Sequence, residues 1–216
     1  MFPTAPRHML KHKNTTIKNF GYDSETKTDY YFNSLGYRSN CEFEPNREKP
    51  IYVLGNTMSF GLGVEFENTY GYLLSKGLGR PVYNFSWGCY GHTNLEQINF
   101  LEKLLEVHQP YFIIFQINNL NRSRDSSSMV HFKNEKSKVL SLHKQFMTKA
   151  KTVLERHKHA FLYWDDEHYD IDLPKNCIVH NRYFVDSALK TRRVIGQKSH
   201  KLISLKILDH LKKSYE

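Results

Sequence analysis

The sequence predicts an α/β fold: a three-layer sandwich with a mostly parallel central sheet. Three observations carry the prediction. Short apolar runs alternate with stretches of helical periodicity along most of the 216 residues, the pattern of a sheet with helices on both faces. The run Tyr111-Phe112-Ile113-Ile114-Phe115 is nearly continuous, as suits a central strand covered on both sides. The runs ending at Leu54, Phe85 and Phe115 each lead into small or polar residues, and sites in open α/β sheets are built at the carboxyl ends of strands.

The elements follow in order. Residues 1–28 form an N-terminal arm, basic and without periodicity over 1–19, and are expected to be extended or loosely packed; residues 29–216 form one domain. Residues 29–40, DYYFNSLGYRSN, predict two short strands about a Ser34-Leu35-Gly36 turn, with Gly36 suited to positive φ. Ile51-Tyr52-Val53-Leu54 is a buried strand stopped by Gly55. A helix is expected over 64–78, ended by Gly77 and Gly79, and a second strand over Val82 to Phe85. Leu95, Ile98, Leu101, Leu104 and Leu105 make the stripe of a helix over 94–107, opened by Thr93 and Glu96 spaced as a capping box.

After the third strand, residues 120–135 are a serine-rich polar excursion able to overhang a site. A long amphipathic helix is expected over 137–157, then a strand over 160–164 and a fifth at 177–179. A last helix, from about Lys198 to Lys213, is expected to turn Leu202, Ile203, Leu205, Ile207, Leu208 and Leu211 inward.

Composition narrows the function. The formal charge is +9, from 31 Lys plus Arg against 22 Asp plus Glu. That balance favours acidic partners, but the basic residues are scattered and no nucleic-acid-binding motif is present, so nucleic acid is not the expected partner. Cys41, Cys89 and Cys177 fit neither a metal spacing nor an even disulfide framework. No apolar run is long enough for a membrane span, and the first residues do not resemble a signal peptide. The expectation is a soluble, cytoplasmic protein. Dinucleotide-binding and P-loop glycine patterns are absent, so no cofactor is expected.

Three blocks at successive strand ends resemble the SGNH (GDSL-like) hydrolases. The G-D-S-x-T-x-G block is matched by Gly55-Asn56-Thr57-Met58-Ser59-Phe60-Gly61. N-x-G-x-x-G-x-G is matched by Asn84 through Gly91, and G-x-N-D by Gln116-Ile117-Asn118-Asn119. Asn33-Ser34-Leu35-Gly36-Tyr37-Arg38 resembles the family's upstream N-S-L-G-[FY]-R, and Gly196-Gln197-Lys198-Ser199-His200 its closing G-P-K-S-H. The resemblance implies an SGNH/flavodoxin-like sandwich with Thr57 in the nucleophile's place. It also implies Cys89 and Asn118 as oxyanion donors.

The departures lie in the chemistry. Thr57 replaces serine and Asn56 the preceding aspartate, while Thr191 and Val194 stand where the catalytic aspartate and histidine belong. Valine takes no proton, and a hydroxyl without a base is a poor nucleophile. His168, in Asp165-Asp166-Glu167-His168 after the fourth strand, is the substitute base considered, ahead of His92 and His200. Asp165, Asp166, His168 and Asp170 are read as a solvated acidic loop, with no metal expected. Asn56, Ser59, Trp87, Tyr90 and Asn119 are the candidate ligand contacts.

Two functions follow from the resemblance. The first is a catalytically impaired member that binds a carbohydrate or acyl-ester ligand or serves in a larger assembly, such as a viral particle. The alternative is an esterase or acyltransferase with Thr57 as nucleophile.

Overall fold

A computed structural model of the chain describes residues 2–21, 23–44, 48–88, 92–118, 120, 122–125, 128–131, 135–163, 173–179, 184–190 and 194–215. Its elements are α1 (Arg7–Leu10), β1 (Thr15–Lys18), β2 (Asp29–Phe32), β3 (Ile51–Leu54), α2 (Thr57–Phe60), α3 (Tyr70–Leu78), β4 (Val82–Asn84), α4 (Asn94–Leu105), β5 (Phe112–Ile117), β6 (Arg122–Asp125), β7 (Ser128–His131), α5 (Lys136–Leu154), β8 (His159–Tyr163), β9 (Cys177–Val179) and α6 (Gln197–Tyr215). Among the described residues the central sheet has five strands in the order β4-β3-β5-β8-β9. Every neighbouring pair in it is parallel.

Alternation along the strands sorts the core into two layers. On one face Tyr52, Leu54, Ile113, Phe115, Ile117 and Phe161 pack with Ile98, Leu101 and Leu104 of α4 and Val139, Phe146 and Ala150 of α5. On the other, Ile51, Val53, Phe112, Ile114 and Leu162 pack with Tyr70 and Leu74 of α3 and Ile203, Ile207 and Leu211 of α6. All six residues of β5 are buried, as a strand central to both layers must be.

Local signals are realised closely. Thr93 and Glu96 form the reciprocal capping box at the start of α4. Gly36 sits at φ +80° in the turn after β2. The helix expected over 64–78 begins late: Phe66–Asn68 is a 3-10 turn, and Thr69, extended at ψ 147°, is the N-cap of α3. Residues 120–135 contain the antiparallel pair β6 and β7.

Two expectations are corrected. The N-terminal segment is not loosely packed. Phe2, Met9 and Phe20 lie in the larger core cluster, and β1 pairs antiparallel with β2. Its apolar side chains enter the core singly, so they show no period. In α6, Leu202 and Leu205 are exposed, at 37% and 53%. The buried stripe through Ile203, Ile207 and Leu211 fixes the helix's rotation, and about 100° per residue carries those two leucines to the outer side.

The strand order matters for the site. The chain leaves β3 for β4 on one side, then crosses back to β5 on the other. The crevice at such a reversal is where open α/β sheets bind ligands. Thr57 follows β3 and Asn118 follows β5, so both lie at the carboxyl end, on either side of the reversal.

Candidate functional site

The turn after β3 is shaped by what surrounds Gly55. A Cβ at this position would collide with Ser59 Oγ and lie 2.6 Å from Gln116 Oε1. The Gly55 carbonyl accepts from Gln97 Nε2 (2.7 Å) and from the Trp87 N–H (3.0 Å). Asn56 then N-caps α2, its Oδ1 accepting from the Met58 N–H at 2.9 Å, a role asparagine fills well. Gly61, at φ +80°, ends the turn of helix.

Gln116, on the last turn of β5's pleat, locks this turn from the side. It is fully buried. Its Oε1 accepts from the Asn56 N–H (3.2 Å), the Ser59 N–H (3.3 Å) and Ser59 Oγ (2.5 Å). Ser59 Oγ in turn accepts from Tyr70 Oη at 2.6 Å, and Asn84 Nδ2 donates to the Ser59 carbonyl at 2.9 Å. Ser59, expected to meet ligand, is therefore an internal group, 2% exposed and with its hydroxyl spent.

Asn118 is buried and held at its backbone by a double pairing with Asn94. Its N–H donates to Asn94 Oδ1 (2.7 Å), and its carbonyl accepts from Asn94 Nδ2 (3.2 Å). Its Nδ2 makes a long contact to Gln97 Oε1 (3.3 Å). Asn118 Oδ1 and Gln116 Nε2 are buried with no protein partner among the described residues.

Thr57 is half-buried. Its hydroxyl has no hydrogen-bond partner among the described residues, so of the two hydroxyls in the block it is the one left available. Among the described residues Thr57 hydrogen-bonds neither His200 nor His92. His200 lies in the first turn of α6, fully buried, with Nδ1 accepting the Tyr70 N–H at 3.1 Å. Burial pulls its pKa down to about 3, helped by the charge of Arg38, so the ring is neutral. His92 is 1% exposed and packs edge-on against Trp87. Val194 is 6% exposed and belongs to the same core cluster as Leu189. Its side chain is packing, not chemistry.

The conspicuous residue that sequence reasoning quoted without assigning a role is Arg38. It is fully buried. Its guanidinium donates to the carbonyls of Phe60 (3.0 Å), Gly61 and Val64 (2.6 Å), and lies 4.5 Å from the centroid of the Tyr30 ring. Burial lowers its pKa to about 10, which leaves it charged at neutral pH. Arg38 thus fixes the far side of the Thr57 turn as Gln116 fixes the near side. The signal was an arginine set among aromatic residues that themselves read as core.

Trp87 is half-buried against the core, edge-on to His92 and Phe100. Cys89, Tyr90, Asn119, Asp165, Asp166, His168, Asp170 and Thr191 lie outside the described residues. Among the described residues no three His, Cys, Asp or Glu side chains are grouped to hold a metal, and no helix is long and apolar enough to cross a membrane.

No family model matches the chain, and no curated protein does. Solved structures do. TesA aligns with a TM-score of 0.50 at 14% identity, over 76% of this chain and 99% of that one. The lipase Lip_vut3 from a goat rumen metagenome aligns with a TM-score of 0.50 at 10% identity, over 76% and 97%. The acetyl xylan esterase Est2A from the rumen bacterium Butyrivibrio proteoclasticus aligns with a TM-score of 0.47 at 13% identity, over 80% of this chain and 66% of that one. The chain thus spans just under two thirds of that esterase. At these identities the likeness to TesA and Lip_vut3 is one of fold: an α/β domain with a mostly parallel central sheet flanked by helices.

Proposed function

We propose that the crevice between the ends of β3 and β5 is an esterase-type site that takes an acyl ester, with Thr57 as its nucleophile. The observation that carries this is the division of labour in the turn: Ser59 is consumed by Gln116 and Tyr70, while the hydroxyl of the partly buried Thr57 has no hydrogen-bond partner among the described residues. In this reading Thr57 Oγ1 attacks the acyl carbonyl and its proton passes to a base as the bond to the alcohol breaks. Water then releases the acid from the acyl-threonine. Asn118, across the strand reversal, is the oxyanion donor in this reading, through the Nδ2 hydrogen not directed at Gln97 Oε1. His168, which follows β8 in the sequence, is the base assigned. The carbohydrate or lipid nature of the alcohol is left to substrate profiling.

One observation favours a second reading, a ligand-binding protein of the same architecture with impaired turnover. Val194, at the position the family resemblance gives to the base, is buried in the core. The experiment is hydrolysis of nitrophenyl acetate by the wild type, Thr57→Ala and His168→Ala, after subtraction of the buffer reaction. Turnover that disappears in both variants is the result expected for the esterase. A residual rate equal in all three proteins removes Thr57 as nucleophile and leaves the binding reading.

A further inference from the structure

The N-terminal segment looks like an appendage in the sequence, but its later part reaches the connections around Thr57. Phe20 is buried. Its ring centroid lies 5.1 Å from that of Phe60, at the end of α2. Its other neighbour is Gly88, in the connection after β4. A Cβ on Gly88 would lie 2.7 Å from Phe20 Cε1 and 3.2 Å from Phe60 Cε2, so the two rings close on Gly88 because it has no side chain. Tyr30 Oη donates to Asp23 Oδ2 (2.6 Å) and accepts from the Gly63 N–H (2.7 Å), just beyond α2. Glu25 Oε2 accepts from the Lys190 N–H at 2.6 Å, ahead of the stretch that leads into α6.

The backbone is bent to deliver the Phe20 ring. Asn19 stands at φ +55° and Gly21 at φ +63°, left-handed on both sides of it. Asparagine and glycine reach that region at least cost. Both are exposed, so what this turn buries is the ring between them. The ring sits where other ties give out. Up to Trp87, the connection after β4 is held to the end of β3 by a hydrogen bond, from the Trp87 N–H to the Gly55 carbonyl (3.0 Å). At Gly88 the contact passes to the Phe20 and Phe60 rings.

We propose that Phe20, Asp23, Glu25 and Tyr30 form a strap that sets the width of the crevice, with Phe20 as its positioning residue between the turn that carries Thr57 and the connection after β4. The effect of the strap on turnover rests on the esterase reading; the spacing itself does not. Such a wedge acts through packing, and a displacement of about 1 Å at a reacting group can cost about a hundredfold in rate.

The test compares the full chain with Phe20→Leu, which stays apolar but loses the ring edge that meets Gly88. The control is Phe112→Leu, at a buried phenylalanine in the other core layer, at the start of β5. Amide hydrogen exchange is followed by mass spectrometry. In Phe20→Leu, peptides over 55–61 and 84–88 are expected to exchange at least about tenfold faster, while peptides from α5 stay within about threefold of wild type. The control is expected to leave 55–61 and 84–88 within about threefold. Equal acceleration in both variants, or none at 55–61 and 84–88, overturns the proposal. Nitrophenyl acetate hydrolysis gives the second readout: kcat of Phe20→Leu is expected to fall at least about tenfold, with KM within about twofold of wild type. A raised KM at unchanged kcat overturns the positioning role. A wild type without turnover refutes the esterase reading alone, and the exchange result then decides the strap.

Discussion

Acid should unfold this protein partly through one ring. His200 is fully buried, and burial lowers its pKa from 6.5 to about 3. The folded state therefore refuses a proton that the unfolded chain accepts. The contribution is complete above pH 6.5, shrinks as the pH falls below that value, and levels off below about 3. At about pH 5 the loss is near 1.4 kcal/mol for each of about 1.5 pH units, or about 2 kcal/mol. His200→Asn isolates this contribution, since an asparagine Oδ1 can stand in for Nδ1 as acceptor of the Tyr70 N–H. The smaller side chain leaves a void, so the variant should be less stable at about pH 7.5, by about 1–2 kcal/mol. Its further loss on going to about pH 5 should be smaller than the wild type's by about 2 kcal/mol. Urea unfolding followed by tryptophan fluorescence at both pH values measures the two differences. Parallel pH dependence in the two proteins would refute the argument, because it would mean His200 binds its proton equally in both states.

Two further substitutions test the frame around Thr57. Arg38→Ala leaves the Phe60, Gly61 and Val64 carbonyls without their donor and should cost at least about 3 kcal/mol in urea unfolding; a loss below about 1 kcal/mol would show that water replaces the guanidinium. Gly55→Ala forces a Cβ against Ser59 Oγ and Gln116 Oε1 and should cost about 1–3 kcal/mol by the same assay; an unchanged midpoint would mean the turn yields freely.

What the sequence made legible was what neighbours in the chain decide. β5 announces itself as a nearly continuous apolar run over Tyr111–Phe115, and Thr93 and Glu96 form their box because both partners sit within one turn. The site's frame was not legible, because its bonds span distance. Gln116 reaches back 57 residues to Ser59, Arg38 forward 22 to 26 residues, and His200 back 130 to Tyr70. No periodicity records such pairings. The same holds for Leu202 and Leu205, whose outward direction follows from how α6 docks rather than from their own hydropathy.

The frame also bears on whether the turn after β3 is only a structural strand-turn-helix. Buried polar groups stabilise a fold only when satisfied, and an apolar substitute is often no worse. Here Gln116, Ser59, Tyr70, Asn84, Gln97, Asn94 and Asn118 are all buried at one end of the sheet. The network leaves Asn118 Oδ1 and Gln116 Nε2 without a protein partner among the described residues. Joining two strands requires none of this. Holding the Thr57 hydroxyl in one position does: Gln116 fixes the amides on either side of Thr57, and Arg38 fixes the carbonyls that follow. Rigid support from both sides is what a reacting or ligand-binding group needs. This buried polar frame is therefore the physical reason to look for chemistry at Thr57.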